Sequence, residues 1–128
     1  MLKKYLLGLL FVLLMLGSAQ AGIINVTAVQ ASDLLQQSHP FLLDVRTPQE
    51  YREAHLADAT LIPLDQLPQH LAEIPKDRPI LVYCAVGSRS ARAADYLANA
   101  GYAQVYNLNG GIWAWQLRGF PVLKGTQQ

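Results

Sequence analysis

Cys84 is the only cysteine in a chain of 128 residues, and it follows directly on the apolar run 79–83. After it come Ala85, Val86, Gly87, Ser88, Arg89 and Ser90, and then a stretch of helical periodicity. A thiolate placed there sits at a helix N-terminus, facing unpaired backbone N–H groups and the positive end of the macrodipole. Small residues and Gly87 let the loop curl until several amides converge on one centre. Arg89 adds a fixed positive charge. Each feature favours the thiolate and makes Cys84 a nucleophile. A buried cysteine is often no more than a small apolar side chain. The strand-end position, the amide-rich loop and the absence of a second thiol weigh for reactivity here.

Other chemistry-bearing residues read as structural. Asp44 and Arg46 close an apolar run, and charged groups at strand ends are usually held by pairing. A weaker reading lets Arg46 add positive potential near the loop. His39, His55 and His70 lack metal-ligand spacing, and His55 is expected to serve packing. No metal or organic cofactor is expected. Trp113 and Trp115 cannot share a helix face, so one belongs in the core and the other on the surface.

The elements that must position Cys84 alternate. Strands are expected over 23–26, 41–45, 61–62, 79–83 and 105–108. Helices are expected over 27–37, from Thr47 onward, and over 64–74, 90–100 and 112–118. Leu34 and Leu35 should face inward. Thr47, Pro48 and Glu50 form a cap, a first-turn proline and a capping box. Pro68 weakens the helix over 64–74. Ala91, Ala94, Leu97 and Ala98 mark one face of the helix over 90–100, and Arg92, Asp95 and Asn99 another. Strands alternating with helices imply a parallel sheet covered on both faces. Functional loops of such sheets lie beyond the strands' carboxyl ends, here after Val45, Tyr83 and Leu108.

Composition narrows the partners. Ten basic and nine acidic residues leave a formal charge of +1, which excludes a strongly basic nucleic-acid footprint. The first 21 residues hold 15 hydrophobic residues and only Lys3 and Lys4 as charges. They end in Gly17, Ser18, Ala19, Gln20 and Ala21. That is the layout of a signal peptide, with a basic start, a short apolar run and an Ala-x-Ala site. The run is too short for a membrane span, which needs ~20 residues. Cleavage after Ala21 would leave residues 22–128 as one domain, periplasmic or secreted, with no membrane anchor. With no second domain present, its active loop is expected to be open to solvent.

Motifs along 44–121 carry a resemblance. Asp44-Val45-Arg46-Thr47-Pro48-Gln49-Glu50-Tyr51 resembles the DVR-x-x-x-E-[FY] signature of rhodanese domains. Tyr83-Cys84 with Gly87, Arg89 and Ser90 is similar to the family's active-site loop. Leu108-Asn109-Gly110-Gly111, Trp115, Gly119 and Pro121 are similar to its closing motif. Ala54-His55-Leu56 departs from the more usual Gly-His-Ile. The resemblance implies an α/β, rhodanese-like fold, a five-stranded mainly parallel sheet with helices on both faces. It implies sulfurtransferase chemistry through a Cys84 persulfide, with the amides of Ala85, Val86, Gly87, Ser88, Arg89 and Ser90 around the outer sulfur. The partners it implies are a small anionic donor such as thiosulfate and an acceptor, cyanide or a thiol, the latter free or on a protein. Arg89 would then bind the donor and stabilise departing sulfite. Two other readings stand beside this one. One is a persulfide carrier or sensing module whose partner does the chemistry. The other is a cysteine phosphatase or arsenate reductase. Those loops place five residues between Cys and Arg, and here there are four.

Overall fold

The computed structural model describes residues 22–126. The expected signal segment lies outside them. Five strands form one sheet: β1 (Gly22–Val26), β2 (Phe41–Asp44), β3 (Thr60–Leu61), β4 (Ile80–Tyr83) and β5 (Gln104–Leu108). Their order across the sheet is β1-β5-β4-β2-β3, and every pairing is parallel. Four α-helices connect them: α1 (Ala28–Gln37), α2 (Pro48–Glu53), α3 (Ser88–Asn99) and α4 (Gly111–Leu117). A 3₁₀ helix spans Leu64–Glu73.

The short apolar strands are buried on both faces because alternate side chains feed two cores. On one face Leu43, Ile80, Val82 and Val105 meet Ala93, Ala94 and Leu97 of α3 and Leu67 of the 3₁₀ helix. On the other, Leu42, Leu81, Tyr83 and Leu108 meet Ala28 and Ala31 of α1 and Ile112 and Trp115 of α4. Leu34 and Leu35 pack partly buried against that second core. Among the described residues no helix is long and apolar enough to cross a membrane.

Topology fixes where a site can form. β2 leads outward to the edge strand β3, while its neighbour β4 leads the opposite way to β5. The connections diverge between β2 and β4 and leave a crevice above their carboxyl ends. Residues 45–47 and 84–87 border that crevice.

Two expected helices differ in the structure. The helix over 64–74 is 3₁₀ and ends at Glu73, with Pro68 inside it. Pro68 has no N–H to donate, and its ring crowds the carbonyl four residues back, so an α-helical ladder cannot close there. Tyr102 instead donates its hydroxyl to the exit carbonyls, 3.1 Å from Leu71 O and 2.8 Å from Ile74 O. The helix expected from Ser90 begins at Ser88, because Gly87 caps it with φ +109°. Ser88, Arg89 and Ser90 therefore form the first turn of α3, and the irregular loop is only 84–87. Ala93, absent from the expected apolar face, is fully buried.

Candidate active site

Cys84 leaves the end of β4 with none of its surface exposed. Its Sγ accepts a hydrogen bond from the Gly87 N–H at 3.1 Å. The Ser90 hydroxyl reaches Sγ at 3.3 Å and the Gly87 carbonyl at 3.1 Å, so one proton serves two acceptors. Burial is the largest influence on the thiol and pushes its pKa up. Hydrogen bonds from the Ser90 hydroxyl and from the N–H groups of Ser90, Gly87 and Val86 together outweigh it. The thiol therefore lies below its ordinary pKa. The structure thus brings Val86, Gly87 and Ser90 onto the sulfur. Ala85 contributes its carbonyl elsewhere, and Ser88 is exposed. Openness holds for Val86, 61% exposed, and not for the thiol.

What turns the amides inward is α4. Ile112 N–H donates to Cys84 O at 2.9 Å, and Trp113 N–H donates to Ala85 O at 3.1 Å. The first amides of α4, which have no partner inside their own helix, pull these two carbonyls away from the sulfur. Such close approach needs a residue without a side chain. Gly111 has φ +61°, and a Cβ on it would stand 2.4 Å from Ala85 O and 2.5 Å from Cys84 O. In the sequence Gly111 stands only within the closing motif, which says nothing of this contact.

Arg89 was expected to be a fixed charge beside the thiolate. The structure pairs it with Glu50, through Nη1 and Nη2 at 2.8 Å each from the two carboxylate oxygens. Arg89 holds the Glu50 carboxyl down at about 2, helped by hydrogen bonds from Thr47. Glu50 also closes the expected capping box on Thr47. The local role was legible, and its partner 39 residues away was not. The direct contacts that favour the Cys84 thiolate are thus the Ser90 hydroxyl and the backbone amides of Ser90, Gly87 and Val86.

The residues read as structural are so placed. Arg46 grips the buried Asp44 carboxylate through Nη2 at 2.7 Å and donates to Ala54 O at 2.7 Å. Its guanidinium carbon stands 5.4 Å from the Tyr83 ring centre. His55 is buried, and its ring stacks on Tyr51 at 3.7 Å. Ala54 has φ −167°, extended backbone that any residue adopts, so glycine is not required there. Trp115 is in the core and Trp113 is 61% exposed. Among the described residues no cluster of His, Cys, Asp and Glu could hold a metal ion.

Comparison with known proteins follows the same outline. The rhodanese-like domain family matches residues 27–118. A sulfurtransferase of Allochromatium vinosum is 44% identical over 82 residues, covering 64% of this chain and 77% of that protein. The thiosulfate sulfurtransferase GlpE of Tolumonas auensis is 37% identical over 92 residues, covering 72% and 87%. The crystal structure of a rhodanese-related protein from Thermoplasma volcanium superposes with a TM-score of 0.72 at 30% identity, covering 78% of this chain and 97% of that one.

Proposed function

The chain belongs to the rhodanese-like domain family, and from that premise we propose that it is a sulfurtransferase working through a persulfide on Cys84. The observation that carries the reading is the convergence of the Gly87 amide and the Ser90 hydroxyl on Sγ. Relatives named sulfurtransferase support sulfur transfer in general. In the first step the Cys84 thiolate attacks the sulfane sulfur of a donor such as thiosulfate. The donor S–S bond breaks, and its electron pair leaves with sulfite. In the second step cyanide or a thiolate attacks the outer sulfur, and the bond to Sγ breaks with its pair returning to Cys84. The loop amides stabilise negative sulfur in both steps. A loop closed directly on the sulfur favours one added sulfur atom over a tetrahedral oxyanion.

Thiosulfate treatment should add one sulfur atom to the protein by mass spectrometry, and Cys84→Ser should abolish both loading and transfer. Transfer by Cys84→Ser at the wild-type rate overturns the mechanism. Loading without turnover until a partner protein is added would instead mark a carrier. Hydrolysis of an aryl phosphate that depends on Cys84 would favour the phosphatase reading. The apolar segment 5–16 after Lys3 and Lys4, with Ala19 and Ala21 behind it, further supports export and cleavage after Ala21. Cell fractionation should then find a periplasmic or secreted form whose N-terminus is Gly22. An uncleaved cytoplasmic protein would refute export.

A further inference from the structure

Among the described residues the three most exposed large apolar side chains are Val86, Trp113 and Leu117, at 61%, 61% and 69%. One exposed apolar residue is ordinary, whereas several gathered in one place mark an interaction surface. All three belong to the Cys84 loop or to the helix that clamps it. The Trp113 N–H donates to Ala85 O at 3.1 Å, so Trp113 stands against the residue that precedes Val86. Trp113 and Leu117 lie one turn apart on α4 and share its outward side. Ile112 and Trp115 bury the other side of α4 in the core.

Val86 joins this face to the sulfur. Its N–H is one of the donors to Sγ, while its side chain is in solvent. Cys84 is buried, so an acceptor comes to the solvent side of the loop, where Val86 and Ser88 lie exposed. The charges nearby in the chain have one sign. Residues 84–94 and 109–120 hold Arg89, Arg92 and Arg118 and no acidic residue. Arg89 is matched by Glu50. Arg118 is exposed, follows Leu117 directly, and makes no ion pair among the described residues. An apolar face that carries a tryptophan and ends in an unmatched arginine has the composition of a protein interface. Its complement is apolar at the centre and acidic at the rim.

We propose that Val86, Trp113 and Leu117 form the docking face for a protein sulfur acceptor, whose reactive cysteine lies in an apolar segment flanked by acidic residues. The inference rests on the sulfurtransferase reading of Cys84 and names the acceptor class for it. The apolar segment covers Trp113 and Leu117, an acidic residue meets Arg118, and the cysteine is brought to the loop at Val86. The acceptor thiolate attacks the outer sulfur of the protonated Cys84 persulfide. A new S–S bond forms, the bond to Sγ breaks, and its electron pair stays on Cys84 as the thiolate. The acceptor protein leaves with the sulfur and its proton as a hydropersulfide, and no oxidant or reductant enters.

The probe is a capped peptide in which leucines flank one cysteine and glutamates flank the leucines. Two control peptides exchange its glutamates for lysines or its leucines for serines, and 2-mercaptoethanol is the small acceptor. With thiosulfate-loaded protein and rates corrected for thiolate fraction, the probe should exceed either control in kcat/KM by about tenfold. Trp113→Ala should lower the ratio of probe to 2-mercaptoethanol about tenfold, the order of one interface hot spot. Arg118→Gln should lower that ratio about threefold, and not that of the lysine control. Taking a ratio cancels any change at Cys84 itself. Ratios unchanged in both variants would overturn the proposal. The probe with serine in place of its cysteine gives a readout free of sulfur transfer. In an NMR titration it should shift the Trp113 indole N–H and the Leu117 amide. Such shifts with no loading of Cys84 would count against the sulfurtransferase reading alone. Loading and turnover of 2-mercaptoethanol with no shifts would count against the docking face alone. A concentration-dependent dimer that Leu117→Gln dissociates would assign the face to a second copy of this chain and overturn the proposal.

Discussion

At Cys84 burial and hydrogen bonding oppose one another, and the hydrogen bonds win. Ser90 contributes through both its hydroxyl and its N–H, so Ser90→Ala removes one donor and keeps the other. The thiolate absorbance of the wild type should titrate below the ordinary thiol pKa, and Ser90→Ala should move the midpoint upward. An unchanged midpoint would show that the amides alone set the thiolate. A depressed thiol pKa also links to stability. The contribution is complete above the unfolded thiol pKa and fades as pH falls through the folded value. Wild type should therefore gain stability over Cys84→Ser as pH rises through that window. Glu50 obeys the same sign at acid pH. Its folded pKa is about 2 against an ordinary 4.5. The stabilisation is present above about 4.5 and is lost between there and about 2. Urea melts over that range should show a smaller acid loss in Glu50→Gln than in wild type. Equal losses would mean that the Arg89 pair adds nothing to stability.

The elements were legible where the signal was local. The capping box of Thr47 and Glu50 follows from spacing within a few residues, as do Ala94 and Leu97 of the buried face of α3, whereas Ala93 and Ser90 of that face do not. The start of α3 was missed because Gly87 reads equally well as loop or as cap, and only its φ of +109° decides. The 3₁₀ geometry over Leu64–Glu73 was signalled by Pro68, but the carbonyl partner that secures its end, Tyr102, lies about thirty residues on. The clamp of α4 on the Cys84 loop was illegible for a similar reason. Nothing near Gly111 in sequence says that the carbonyls of Cys84 and Ala85 stand against it. Gly111→Ala tests that clamp. The added Cβ meets two carbonyls below 2.6 Å on a left-handed backbone, so the variant should lose about 3 kcal/mol or more. Denaturant unfolding measures it, and a loss under about 1 kcal/mol would mean that the loop moves aside freely.

Over the whole molecule, the topology placed the site where parallel-sheet logic expects it, between the diverging connections of β2 and β4. What sequence could not supply is how the C-terminal segment supports that site from outside. Trp115 of α4 donates its indole N–H to Pro121 O at 2.9 Å and packs on Phe120 with ring centres 4.9 Å apart. Beyond them Leu123 and His55 exchange two backbone hydrogen bonds at 3.0 and 2.8 Å. The segment thus ties α4 to the buried histidine that stacks on α2. Because α4 also holds the carbonyls of Cys84 and Ala85, the tail should act on stability and on the thiol together. A chain ending at Gly119 loses the half-buried Phe120 and Val122 and these hydrogen bonds. It should lose about 2–3 kcal/mol, a fall in Tm of more than about 10 °C for a domain of this size. Its Cys84 should also titrate at higher pH when measured well below the new Tm. A lower Tm with an unchanged thiol midpoint would separate the tail from the loop, leaving α4 seated on the Cys84 and Ala85 carbonyls by its own N-terminal amides alone.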